Sequence, residues 1–383
     1  MTIQQKIPHS ATPAPSPEIG AIADRLTPLV RNAWYVAAWS SEVSRTLTRR
    51  WVLSQDILMY RDRAGRVVAL QNRCAHRSFP LHKGRLDSDN VECNYHGLTY
   101  GPDGACVRVP ADPGGKSCAN FSLHKYPVVE RPPFIWIWTG DPELAEESTI
   151  PDHHWLGAEG WAYAGGYKQI AANYIGLHEN LLDTTHFSFL HAGNVGTPEY
   201  ASDAGMVTEV EGDTVRQHRT LEGQILPALY DKPMDLINKR VKRHTDSRFF
   251  SPGWHIAHAR VTDHNPEPGR QREYRTKILH GITPLSQTET HYFWAIARDY
   301  NTADPDITAY MEQAITEAFE EDREALEWIE QIQSRENRPE YQERSFRADK
   351  GGISMRRIIA RLARREAAEA PESRHSRKGV KRI

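Results

Sequence analysis

The sequence predicts an α+β protein in two parts: an all-β half, then an antiparallel sheet covered by long helices. Three observations carry this. Short apolar runs broken by Gly, Pro and Asp recur from about residue 29 to 138, the rhythm of a domain of short strands. Longer alternating runs follow beyond residue 160, the plainest being THYFWAIAR, and suit a sheet with one buried face. After Pro305 the apolar period becomes helical, with Met311, Ile315, Ala318, Phe319, Leu326 and Ile329 near helical spacing.

A length of 383 residues suggests two domains. With 39% hydrophobic and 26% charged residues the chain can bury a core. A net charge of −2 gives no general case for nucleic-acid binding. No apolar run approaches the roughly 20 residues of a membrane span. The N-terminal text lacks the apolar core of a signal peptide, so a cytoplasmic location without disulfides among the four cysteines is expected. The expected division is a mobile arm at 1–28, a first domain at 29–145, a second at 146–366 and a basic disordered tail at 367–383.

In order, the segment from Leu29 mixes aromatic and apolar residues as a strand and turn would. Residues 51–60 and 67–70 read as two strands joined at Asp62–Gly65. The run VVERPPFIWIW closes the first domain, and an acidic connector follows it. His153 and His154 in that connector are expected to point apart and hold no metal. The second domain opens with a strand at 161–170, then a helical stretch. Strands are expected at 206–211, 215–221, 254–261, 273–282 and 290–298, with a helical or irregular piece at 231–241. Helices at 307–334 and 353–365 end it.

Two constellations carry chemistry. The first is Cys74, His76, Cys93 and His96, with sixteen residues between the halves. Such a set could bind tetrahedral zinc or a Rieske [2Fe–2S] cluster, two thiolates on one iron and two imidazoles on the other. The spacing favours the cluster, because each half offers one Cys and one His on a short loop. Zinc sites more often pair CxxC with HxxxH. The second is ENLLDTTHFSFLH at 179–191. Asn180, Asp183 and His186 are spaced three apart, one face of a helix. His191 follows at i+5, so a break near 187–189 is expected to bring both imidazoles to one ion. Two His with one carboxylate is a set that holds non-haem Fe(II) with positions left open.

Together, and in this order, the segment 74–96 resembles the Rieske domain of Rieske non-haem iron oxygenases. NLLDTTH with His191 resembles their mononuclear iron site. The resemblance spans about 29–365. It implies a Rieske domain followed by a helix-grip catalytic domain, with Cys74, His76, Cys93 and His96 on the cluster. It also implies His186, His191 and Asp322 on one Fe(II). Asp322 shares the apolar face of its helix with Phe319 and Leu326, whereas Glu320 and Glu321 read as a solvated edge. By the same resemblance Asp183 is not a ligand but links His186 to His96 of a neighbouring subunit, which implies a homotrimeric ring. Asn180 is expected to line the open side of the iron.

The text LVRNAWYVAAW and the single-chain layout resemble the oxygenase components of O- and N-demethylating monooxygenases, such as dicamba and vanillate demethylases and chloroacetanilide N-dealkylases. That implies use of O2 to hydroxylate a carbon next to N or O of an aromatic substrate, ending in dealkylation. Ring or side-chain hydroxylation by the same centre is the alternative, and a Rieske electron carrier without oxygenase activity is the reading from another class. No GxGxxG is present, so electrons from NAD(P)H are expected through a separate reductase and ferredoxin. Arg73, Arg77, Lys83 and Arg85 would give an acidic ferredoxin a positive rim. His280 resembles a substrate-contacting position, and Trp254, His258 and Trp294 are further pocket candidates.

Overall fold

The structure, a computed structural model, describes residues 20–336 and 343–369. The expected arm at 1–19 and most of the expected tail lie outside the described residues. Residues 20–28, expected to be mobile, instead lie against the last helices. Ala23 is buried and donates its N–H to the Arg356 carbonyl at 3.1 Å. Arg25 meets Glu330 at 2.7 Å.

The first domain holds β1 (Trp34–Trp39), β2 (Thr48–Val52), β3 (Gln55–Arg61), β4 (Val67–Gln71), β5 (Arg85–Asp87), β6 (Asn90–Glu92), β7 (Thr99–Tyr100), β8 (Cys106–Arg108), β9 (Val128–Arg131) and β10 (Phe134–Trp138). They form sheets ordered β1-β10-β9, β2-β3-β4 and β5-β6-β7-β8. The single strand expected at 51–60 is two strands. The chain reverses at Leu53 and Ser54, with φ of 48° and 60°, the left-handed values that a two-residue hairpin turn needs.

The second domain holds β11 (Ala162–Ile170), α1 (Tyr174–Leu182), β12 (Val207–Glu211), β13 (Thr214–Ile225), α2 (Ala228–Met234), β14 (Arg240–Phe250), β15 (Trp254–Thr262), β16 (Glu273–Pro284), β17 (Thr290–Arg298), α3 (Pro305–Arg335) and α4 (Lys350–Glu369). One antiparallel sheet runs β11-β17-β16-β15-β14-β13-β12. Strand β14 was not expected. Its text, RVKRHTDSRFF, is too polar to read as a strand, yet Val241, Arg243, Ser247 and Phe249 on one face are buried. Among the described residues no helix is long and apolar enough to cross a membrane, and all four cysteines are free.

The two faces of the sheet have different partners. Every residue of β17 is buried, because one face meets α3 and the other meets the first domain. On the α3 side, Phe319 lies 5.5 Å from Trp294 and 5.6 Å from His280, ring centre to ring centre. On the other side, Trp254 lies 4.7 Å from Trp136 and 5.9 Å from Phe134. His153 sits among these rings, with its nitrogens 2.9 Å from the Pro151 carbonyl and 3.2 Å from that of Arg131. It is a hydrogen-bonded core residue.

Candidate functional site

Asn173 caps α1 by accepting from the Ile175 N–H at 2.9 Å. The helix stops at Leu182, where Asp183 turns extended with φ −102° and ψ 109°. The Asp183 carboxylate accepts from the Thr185 N–H at 2.7 Å and its hydroxyl at 2.6 Å. That local bonding competes with continuation of the helix. A 3-10 turn, Thr185–Ser188, carries His186 onward. The break therefore comes several residues before the 187–189 expected, and Asn180 and His186 do not share one straight helix. Beyond it the N–H groups of Asn194, Val195 and Gly196 all converge on the His191 carbonyl at 3.2 Å. A Cβ on Gly196 would fall 2.0 Å from the Phe187 carbonyl oxygen, so only glycine lets this knot close. The His186 and His191 rings end 5.1 Å apart at 74°.

Helix α3 brings Asp322 to them. Its Oδ1 lies 3.0 Å from His191 Nε2 and 3.6 Å from His186 Nε2. One donor atom from each of the three residues falls within 4.8 Å of the others. Donors about 2.1 Å from one ion lie about 3–4 Å apart, so the spacing fits a single metal. His186 Nε2 is buried and makes no hydrogen bond among the described residues, a cost that a metal bond would remove. Two imidazoles and a carboxylate suit Fe(II). Asn180 donates to the same Asp322 oxygen at 2.8 Å, which fixes the carboxylate.

Each imidazole also has a carboxylate behind it. Glu321 Oε2 is 2.6 Å from His191 Nδ1, and Asp183 Oδ2 is 3.8 Å from His186 Nδ1. Both Glu320 and Glu321 lie on the solvated edge expected of them. Glu320 pairs with Lys168 at 2.6 Å and with Arg323, and Glu321 reaches His191 from that edge. Burial pushes the His191 pKa down, but Asp322 and Glu321 outweigh it and hold it above the ordinary value. Acids behind ligating imidazoles are worth roughly 10–100-fold in metal affinity. Glu321→Gln should weaken iron retention by about that factor, read as iron per chain after dialysis against a graded chelator. Unchanged retention would mean that the contact only tethers α3.

A cavity opens beside these donors, lined by Asn180, His191 and Asp322 at one end and by Ile278, His280 and Phe319 along it. His280 is 2% exposed, its Nδ1 is 2.6 Å from the Tyr292 hydroxyl and its Nε2 has no partner among the described residues. Burial pushes its pKa down to about 3 and that of Tyr292 well up. With the tyrosine proton donated to Nδ1, Nε2–H is left to face the cavity as a donor. Trp294 stands behind Phe319 and does not line the cavity. One other pocket candidate is corrected. Side chains alternate along β15, and Trp254 joins the first domain, whereas His258, with Ala257 and Ala259, is among the residues that line the cavity. Arg243, Gln217 and Tyr230 line the cavity and were missed.

In the first domain, the loop after β4 carries Cys74 and His76, and the loop between β6 and β7 carries Cys93 and His96. Cys74 and Cys93 are buried, His76 is half-buried and His96 is exposed. The two Nδ1 atoms face each other at 3.2 Å, the separation of imidazoles sharing one iron. Each loop folds back on its cysteine, with the Ser78 N–H on the Cys74 carbonyl at 3.0 Å and the Gly97 N–H on that of Cys93 at 2.9 Å. The Tyr100 hydroxyl sits 3.2 Å from Cys74 Sγ. Arg85 is tied to Glu92 at 2.8 Å and Arg73 to Ser78 at 2.8 Å, while Arg77 and Lys83 are exposed.

Comparison with known proteins agrees with both halves. Residues 33–127 match the Rieske [2Fe-2S] domain, and residues 170–365 match the vanillate O-demethylase oxygenase C-terminal domain. The chain is 35% identical to the iron-sulfur subunit of the toluene-4-sulfonate monooxygenase system of Comamonas testosteroni, over 88% of this chain and 98% of that one. It is 33% identical to a vanillate O-demethylase oxygenase subunit of a Pseudomonas species, over 89% and 97%. A crystal structure of dicamba monooxygenase bound to 3,6-dichlorosalicylic acid superimposes with a TM-score of 0.82 at 29% identity, over 89% of this chain and 99% of that one.

Proposed function

The chain belongs to the Rieske non-haem iron oxygenases of the vanillate O-demethylase type, and on that premise we propose that it is the terminal oxygenase of a multicomponent monooxygenase acting by oxidative dealkylation. The observation that carries this is the meeting of His186, His191 and Asp322, the last two lining a cavity, in a chain that also has a Rieske domain. Cys74, Cys93, His76 and His96 would hold the [2Fe–2S] cluster, and the other three residues one Fe(II). The iron, when bound, supplies activation of O2. Asn180 and Glu321 hold its ligands in place. Phe319, Ile278 and their neighbours keep water from the reacting carbon, and His280 Nε2 offers a hydrogen bond that orients the substrate.

For an aryl methyl ether the net change is Ar–O–CH3 + O2 + 2 e⁻ + 2 H⁺ → Ar–OH + HCHO + H2O. One oxygen atom enters the methyl carbon, and the resulting hemiacetal splits to phenol and aldehyde. The electrons come from a ferredoxin and reductase, since no nucleotide-binding motif occurs in the chain. We place the ferredoxin at the exposed His76–His96 edge beside Arg77 and Lys83. We also propose a homotrimer; Asp183 lines a surface hollow with His186, Leu326 and Phe346, where a neighbouring subunit would reach it. Phe189, Trp328 and Phe346 are exposed by 60–76% on the chain alone, apolar surface that suits a neighbouring subunit.

The test is purified protein with a surrogate ferredoxin and reductase. About three irons and two sulfides per chain are expected, with O2 uptake matched by aldehyde from methoxyarenes or N-alkylanilides. Uptake with hydroxylated product and no aldehyde would replace dealkylation with hydroxylation. Two irons without uptake would make the protein an electron carrier.

A further inference from the structure

The cavity ends in a buried cation. Arg243 projects from the inner face of β14, is 2% exposed and lines the same cavity as His191, Asp322 and His280. Its Nε and Nη1 have no hydrogen-bond partner, and no carboxylate pairs with it, among the described residues. The guanidinium lies over Tyr230 at 4.4 Å and over Tyr200 at 5.0 Å. A second buried cation stands next to it. Arg219, 1% exposed, covers Tyr200 at 4.0 Å and donates to the Ser202 carbonyl at 2.7 Å and the Thr184 hydroxyl at 3.3 Å. The acidic group of this strand, Asp246, faces the opposite side and is committed to Arg216 and Arg248.

Two buried guanidiniums with no carboxylate in ion-pair contact among the described residues are costly, because water is gone and no direct ion pair replaces it. Aromatic faces recover part of that cost. They leave Nε and Nη1 of Arg243 without a hydrogen-bond partner among the described residues, and those donors match the oxygens of a carboxylate or sulfonate. The position fits as well. The Tyr310 hydroxyl donates to the Ala228 carbonyl at 3.0 Å, which seats α2, and Tyr230 with it, beside the first half of α3. Along α3 the cavity runs from Ile315 to Asp322, two turns or about 10 Å. That length suits one aromatic ring with substituents at opposite ends. The walls between, Ala257, Ala259, Ile278, Ala318 and Phe319, are apolar.

We infer that Arg243 is the specificity-determining residue of this cavity, and that it selects aromatic acids by holding their carboxylate or sulfonate at the end away from the metal donors. The inference rests on reading the cavity as the substrate site of the proposed oxygenase. The cation–π stack with Tyr230 and Tyr200 orients the guanidinium, and the ring of the substrate fills the apolar middle.

The test compares 3-methoxybenzoate and 3-methoxybenzenesulfonate with the uncharged 3-methoxybenzamide, on the holoenzyme, in wild type, Arg243→Gln and Arg243→Lys. Binding is read by calorimetry and by the shift in melting temperature, apart from turnover. The wild type should bind an acid at least 10-fold more tightly than the amide. Arg243→Gln should lower the acid-to-amide ratio by roughly 100-fold, and Arg243→Lys should restore part of it. An intact visible spectrum of the cluster shows that the variants are folded. If the wild type binds no tested acid better than the amide, or Arg243→Gln keeps the preference, the inference fails. If acids bind through Arg243 but no aldehyde is released from them, the dealkylation reading fails and the anion site stands.

Discussion

Asp322→Ala is expected to leave about two irons and two sulfides per chain where the parent has about three irons, with turnover at background and the signal of the reduced cluster unchanged. The physical reason is that Asp322 supplies a buried charge facing both imidazoles, at 3.0 Å from one and 3.6 Å from the other. Removing it leaves two neutral donors, which bind divalent iron poorly. It also frees Asn180 Nδ2, which now donates to Asp322 at 2.8 Å. Asp322→Asn keeps the shape and deletes the charge, so it separates loss of the ligand from loss of packing. Metal analysis with electron paramagnetic resonance checks both variants. A variant that keeps the third iron and turns over would show that the ion sits elsewhere.

The second large effect is expected at Asp183. Its Oδ1 is fully used by Thr185, while Oδ2 stands 3.8 Å from His186 Nδ1 and opens on the surface hollow. Burial tends to raise its pKa, yet the bonds from His186 and Thr185 hold it below the usual carboxylate range. It is therefore a fixed anion at neutral pH. In the proposed ring it would accept from Nε2 of a neighbour's His96, whose Nδ1 is turned toward His76. Asp183→Asn should keep both metals and the trimer but slow reoxidation of the reduced cluster, with substrate and O2 present, by orders of magnitude. Stopped-flow absorbance of the cluster measures this directly. A fully active Asn variant, or full activity in dilute monomer, would end the bridging role.

Much of the site was legible because its parts are local in sequence. Cys74 to His96 fit two short loops, and Asp183 to His191 fit one broken helix end. The rest was not, for one reason, the facing of side chains. The rotation of α3 puts Asp322 inward and leaves Glu321 on a solvated edge, from which it still reaches His191 Nδ1. Trp254 is an aromatic residue on an expected strand, but the pleat turns it to the first domain. Arg243 was passed over with the whole of β14, since a strand whose buried face carries Arg243, Thr245 and Ser247 has no apolar alternation to find.

What the sequence determined by itself was the chemistry available: two thiolates and two imidazoles in one half, two imidazoles and a nearby acid in the other, and the order of the domains that carry them. Those are set by covalent spacing, which folding cannot change. What only the tertiary structure decided was which distant groups share a space with them. Asp322 reaches His191 over a separation of 131 residues. Arg243 reaches the same cavity from a strand that forms only because its neighbours satisfy its backbone. Register and helix rotation fix such meetings, and they are set by the burial of the whole domain, not by any local spacing.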